Sequence, residues 1–468
     1  MLRLWMCGLL LVCGAAAGDD CVAQKLFPPV IAEDLYFGIS IAAEADRLAI
    51  GAIGTAYICE RAGQTWSVSA ELVQPLSGEF DGYGYPVSLA GDYAAVSASG
   101  ERGAVVLFRK DNTTWSVDAT LIGQVDDGHF GWSVAMDGDR IVIGAPRENV
   151  VKGRVHVYRR VDGEWIEEAV LLPPPTLQWF EGFGWEVAID GDRIAVGDYS
   201  EWTDSSLRVV TFTNDDGEWV QESILDYSHI DEDKYGWWLS LDGDFLLVNG
   251  IWAQVNYLYE RVEDEWIQRA TLDGDPNPFT TGQAIVSRGR YVAEVFGEPE
   301  GRLYRRETSA WVQMGEFAAV TGEDVYEGAL KLLGAWVISG DYGDSDLAYA
   351  GGAVHLIPLP IDCNNNGISD ACDIATGSSS DAHSDGVPDD CQPNTCPRGG
   401  CENLDIAGND CVIDLGDLGL LLANFNREGW DIAGDSDIDG DVDLADLGAM
   451  LAAWGANCTF QSAEEEPR

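Results

Sequence analysis

Residues 130–174 alternate short apolar runs with polar turns. Phe130-Gly131-Trp132-Ser133-Val134-Ala135 leads to the turn Asp137-Gly138-Asp139, then to Arg140-Ile141-Val142-Ile143-Gly144-Ala145-Pro146. After a loop come Gly153-Arg154-Val155-His156-Val157-Tyr158-Arg159-Arg160, a second turn Asp162-Gly163, and Glu164-Trp165 running on to Leu171-Leu172-Pro173. The runs are short and rich in Val and Ile, and Asp-Gly fits tight turns between paired strands. The pattern predicts four antiparallel strands.

The unit recurs along the chain. An aromatic-Gly mark stands at Phe37-Gly38, Tyr83-Gly84, Phe130-Gly131, Phe183-Gly184 and Tyr235-Gly236, and decays to Thr281-Gly282 and Glu327-Gly328. A second mark, Trp opening the fourth strand, stands at Trp66, Trp115, Trp165, Trp219, Trp266 and Trp311. Seven units thus carry six Trp marks. The seventh unit stops after its third strand, Gly352 to Pro358, while Cys21 to Pro29 matches the pattern of Trp165 to Pro174 with Cys21 in the Trp place. An open ring would leave sheet edges unpaired. The expected fold is therefore an all-β, seven-bladed β-propeller over residues 19–360, closed by the N-terminal strand.

The unit resembles the FG-GAP repeat of the integrin α-chain propeller, most clearly at Phe130-Gly131 and Gly144-Ala145-Pro146. The resemblance implies a binding or adhesion role. Members of that family often carry Asp-rich calcium loops between blade strands. No DxDxDG loop stands in the seven units, so calcium is not expected within the propeller.

Charge changes the picture beyond residue 360. The chain carries 80 acidic and 27 basic residues, a net charge of −53. That excludes the basic footprint of a nucleic-acid binder. The acids are densest in residues 361–468, and there they are spaced like calcium ligands. Residues 362–373 place Asp362, Asn364, Asn366, Asp370 and Asp373 at positions 1, 3, 5, 9 and 12 of a loop, with Gly367 at position 6. Calcium takes six to eight hard oxygen ligands, and Gly permits the sharp turn. A weaker copy at 381–392 offers Asp381, Asp385 and Asp389, with His383 and Gln392 at ligand positions. The pair (residues 361–395) resembles thrombospondin type 3 calcium repeats.

Residues 435–446 place Asp435, Asp437, Asp439, Asp441 and Asp446 around Gly440, ahead of an apolar stretch from Leu447 to Trp454. This is an EF-hand-like loop and helix, with Asp where an EF-hand ends on Glu. A half-copy with Asp405, Asn409, Asp410 and Asp417 precedes the apolar stretch Leu418 to Phe425. The tandem unit (residues 396–458) resembles a type I dockerin, which implies a small α-helical module docking onto a cohesin-type partner. These segments hold little apolar material, so Ca2+ is expected to fold them. Residues 459–468 read as a disordered tail.

Residues 1–18 read as an export signal, with Arg3, the apolar stretch Leu9 to Val12, and Ala15-Ala16-Ala17 at a cleavage site. No later stretch is long and apolar enough to span a bilayer. Secretion is therefore expected, to the extracellular space or cell surface. Seven Cys cluster from Cys363 to Cys458, as disulfides would in small exported modules. Cys21 and Cys59 are candidates for a bridge across the ring closure.

No HExxH, GxSxG or Walker motif appears, and no catalytic residue is assigned. His156 and His355 share one place in their blades, read as a packing slot. The residue after the repeated Gly is aromatic in blades two to five: Tyr85, Trp132, Trp185 and Trp237. Either these rings wedge between blades, the commoner fate of large aromatics, or they form an arc at the channel mouth that stacks on a glycan or grips a protein. The leading expectation is an exported calcium-binding propeller that binds a protein or glycan. The alternative is a dockerin-tagged polysaccharide hydrolase or lyase.

Overall fold

The structure is a computed structural model. It describes residues 24–62, 65–76, 82–148, 152–175, 182–198, 208–215, 217–226, 235–250, 255–262, 265–273, 282–286, 291–295, 300–307, 310–318, 329–333 and 336–358, with the single residues 379 and 421 beyond them. The expected signal segment, Cys21 and the expected calcium ligands from Asp362 to Asp446 lie outside the described residues, as do both expected dockerin-like helices save Leu421.

Seven four-stranded antiparallel sheets follow one another, each built from consecutive strands except the last. In blade 3 the strands are Ser133–Asp137, Arg140–Ala145, Arg154–Val161 and Glu164–Leu171, the four runs expected from the sequence. The first strands touch one another in a closed circuit from blade 1 to blade 7 and back. They therefore line the centre. Blade 7 consists of Leu330–Leu333, Trp336–Asp341 and Ala353–Pro358, and its fourth strand is Gln24–Leu26, with Lys25 opposite His355. The head of the chain closes the ring.

The aromatic-Gly mark has a packing cause. Phe37, Phe130 and Phe183 are fully or almost fully buried, and each packs on an aromatic ring of its own blade's third strand. The Gly beside each ring lets the chain pass hard against the preceding blade. At Gly84, with φ +101°, a Cβ would stand 1.9 Å from the Ala52 carbonyl oxygen. Only Gly fits both that conformation and that approach.

The Trp mark belongs to a set of clasps between blades. Trp165 Nε1 donates to Asp118 (3.1 Å), Trp219 Nε1 to Glu168 (3.2 Å) and Trp266 Nε1 to Glu222 (2.8 Å), in each case an acid on the fourth strand of the blade before. Each acid stands three residues after its own blade's Trp. Blade 1 has Ser69 at this place, and the Trp115 indole N–H of blade 2 is left without a partner. At the lower ends of the blades, Arg47, Arg140 and Arg193 reach acids in the next blade's turn, Asp92, Asp192 and Asp244.

The Cys21–Cys59 bridge is not made. Cys59 is a free thiol with no exposure, and burial pushes its pKa up to about 12. It lies in the apolar contact between blades 7 and 1, beside Ile338 and Leu356.

Candidate functional site

Strand alternation places two sets of loops at one end of the ring, the upper face: those entering each first strand, and those between second and third strands. The residues after the repeated Gly lie here. The buried wedge is the aromatic before the Gly, and the residue after it stays part-exposed. Trp132 and Trp185, from blades 3 and 4, touch with ring centroids 4.6 Å apart at 46°. His129 stands edge-on to Trp132 at 5.6 Å. Tight turns fix the backbone at both positions: the Trp132 amide donates to the His129 carbonyl (3.1 Å) and the Trp185 amide to that of Gly182 (3.0 Å). Tyr85 holds the equivalent place in blade 2 and is likewise part-exposed. Trp237 lies in the first strand of blade 5, Tyr235–Asp242, and its side chain is outside the described residues.

The upper face holds more aromatic surface than the repeat marks alone announce. Tyr36 and Tyr342 meet across the junction of blades 1 and 7, with centroids 5.7 Å apart. Near them Tyr349 is 72 % exposed, Leu347 52 % and Ile53 48 %. The first of these had a readable signal, since Tyr36 directly precedes the Phe37-Gly38 mark. The loop bearing Tyr342 and Tyr349 carries no repeat mark.

Beneath Tyr342 lies a buried acidic pocket. Asp341 ends the second strand of blade 7, and Asp344 follows in the loop. His355 comes from the third strand. One ligand atom from each lies within 4.8 Å of the other two. Lys25 donates to Asp344 and, at 2.6 Å, to Asp346. Burial, and then the Asp344 charge, push the Asp341 carboxyl up to about 6. Burial, reinforced by Lys25, pushes His355 down to about 4, so its imidazole is neutral at pH 7. In blade 3 the histidine of the same slot is bonded at both nitrogens. His156 Nδ1 meets Glu167 at 2.8 Å and Nε2 meets Glu148 at 3.2 Å. Burial lowers the pKa of His156, but the two carboxylates together outweigh it and raise the group above its ordinary value.

One more titratable group sits near the ring centre. Glu186, on the first strand of blade 4, is pushed up to about 8 by desolvation near the ring centre, against the pull of Lys331 on the first strand of blade 7. No helix among the described residues is long and apolar enough to cross a membrane.

These features define a seven-bladed β-propeller with an aromatic upper face. The family described as "FG-GAP repeat" matches residues 123–158, which span the clearest copy, blade 3, up to its third strand. No curated protein matches the chain. Among solved structures, a chain of "Crystal Structure of Mitotic Checkpoint Complex" is similar at 14% identity and TM-score 0.49, over 75% of this chain and 98% of that one. A chain of "Crystal structure of the Saccharomyces cerevisiae Sqt1" is similar at 11% identity and TM-score 0.46, over 71% and 98%. At TM-scores below 0.5 neither bears on what this chain does.

Proposed function

We propose that this chain is an exported, calcium-binding propeller protein whose upper face binds a glycan or protein partner. The observation that carries the reading is the Trp132–Trp185 pair. Two large rings from neighbouring blades meet part-exposed on fixed turns and restrain each other by contact. Fixed, part-exposed indoles suit stacking on sugar rings, since each brings apolar area at little cost in lost rotamer freedom. The FG-GAP match supports a binding or adhesion role.

The Asp-rich segments complete the proposal. Ca2+ folds residues 361–458, and the tandem loop–helix unit attaches the protein to a cohesin-type partner outside the cell. Among the described residues, two acids are raised well above the usual carboxylate range, Glu186 and Asp341; they lie on different blades, and Lys331 rather than a second carboxylate acts on Glu186. A hydrolase working through two carboxylates needs a pair.

The test is a glycan and peptide array probed with the full chain and with the Trp132→Ala/Trp185→Ala double variant. The expected result is a tenfold or greater loss of binding, about 1.4 kcal/mol or more, with the melting temperature nearly unchanged. Binding that survives the double substitution would refute the upper-face reading.

A further inference from the structure

Both carboxylate oxygens of Asp341 are buried and without a hydrogen-bond partner, and so is Nε2 of His355. The Asp341 residue is only 2 % exposed. The Asp344 amide donates to the Asp341 carbonyl at 3.2 Å and only partly offsets the burial of the carboxyl, whose pKa stays raised. Lys25 is committed to Asp344 and Asp346. A buried carboxylate with no donor is costly, and in native structures such groups are paired or coordinate a metal.

Blade 3 shows what makes blade 7 different. Its second strand ends on Ala145 where blade 7 has Asp341. Its His156 is bonded at both nitrogens by carboxylates. The histidine there needs nothing more, although Glu148 keeps one buried oxygen unbonded. Blade 7 adds a third acid and leaves its histidine open. Asp341 and Asp344 are buried against the single positive charge of Lys25, which Asp346, 67 % exposed, also shares, so the buried acids are left in excess of cations.

We propose that Asp341, Asp344 and His355 form a site for a divalent transition-metal ion of the zinc type, seated at the seam where the N-terminal strand closes the ring. The donor set argues for that class. One imidazole with two carboxylates suits Zn2+ and its first-row neighbours, whereas Ca2+ and Mg2+ take oxygen donors. The burial of both acids argues for a structural ion. It would tie the loop after Asp341 to the third strand, next to Lys25 on the closing strand. The site lies between second and third strands and is separate from the Asp-rich loops beyond residue 360.

The experiment uses the full chain, stripped with EDTA and dialysed. Zn2+ is titrated calorimetrically and thermal melts are recorded with Zn2+, Mn2+, Ca2+ and Mg2+. Asp341→Asn and His355→Gln are carried in parallel, together with the Co2+ absorption spectrum. The expected result is one more tight Zn2+ equivalent in the wild type than in either variant. Zn2+ should raise the propeller's melting temperature in the wild type alone, and the Co2+ band should be lost in His355→Gln. Asp341→Asn removes a buried charge and keeps the shape, so its metal-free form should melt no lower than the wild type. Equal Zn2+ stoichiometry in wild type and Asp341→Asn, or a wild-type melt indifferent to Zn2+, would overturn the site.

Discussion

Consider Glu222→Ala, which opens one clasp of the ring. Glu222 sits on the fourth strand of blade 4 with its side chain 6 % exposed. Its Oε1 accepts from Arg261 Nε at 2.5 Å and its Oε2 from Trp266 Nε1 at 2.8 Å, both on blade 5. Thr211 of its own blade adds a 3.2 Å bond. Blade 1 calibrates the loss: with Ser69 at the equivalent place the Trp115 indole goes unbonded, so one neutral donor is tolerable, at about 1 kcal/mol. The guanidinium is the larger part. Removing one member of a buried ion pair costs about 3–5 kcal/mol, and Arg261, 16 % exposed, recovers some of this from water. The expected destabilisation is about 3 kcal/mol. Glu222→Gln, which keeps an oxygen for the indole, should cost about 1 kcal/mol less. The assay is urea unfolding followed by Trp fluorescence, read as a lower midpoint at unchanged slope. A loss under about 1 kcal/mol for Glu222→Ala would mean that the clasps decorate the ring without holding it.

Two further perturbations follow. In metal-free protein, Asp341 and His355 should pull stability in opposite directions with pH. Asp341 is raised from 3.8 to about 6, so its contribution falls as pH rises through that span, by about 3 kcal/mol at most. His355 is lowered from 6.5 to about 4, so its contribution falls as pH drops through that span. The wild type should be nearly flat from pH 4 to 6 on their account, and Asp341→Asn should expose an acid-side loss; denaturant melts at each pH check this, and no new slope in the variant would contradict the balance. Gly84→Ala should destabilise by at least about 3 kcal/mol, because the methyl meets a backbone oxygen and the backbone is left-handed; a circular-dichroism melt indistinguishable from the wild type would refute this.

The ring was legible because its marks are local and repeated. Phe37, Phe130 and Phe183 each stand beside a Gly that the neighbouring blade requires, and the Trp marks open the fourth strands. Closure was legible because Cys21 to Pro29 copies a fourth strand, of which Gln24–Leu26 is the paired part among the described residues. Which aromatic wedges and which faces out was not legible, since Phe130 and Trp132 are two residues apart and equally apolar. The Trp clasps could have been read from Asp118, Glu168 and Glu222, each three residues after a Trp, but a sequence shows the spacing and not the blade that receives it. The Asp341 pocket escaped because it follows no DxDxDG order. A packing slot shared with His156 was the expectation for His355, and only the fold brings Lys25 opposite it. The neighbouring of blades seven and one likewise suggested a Cys21–Cys59 bridge, whereas apolar packing encloses Cys59 as a thiol.

Lys25 and Asp344 meet from positions 319 apart in the chain. Synthesis delivers the first long before the second, so the third strand that Gln24–Leu26 pairs with is made last. The last sheet joins early residues to late ones, and any interruption of synthesis before residue 353 leaves a ring that cannot shut. Maturation of this protein is thereby timed by its final blade, with the slow, long-range pairing that such a topology imposes.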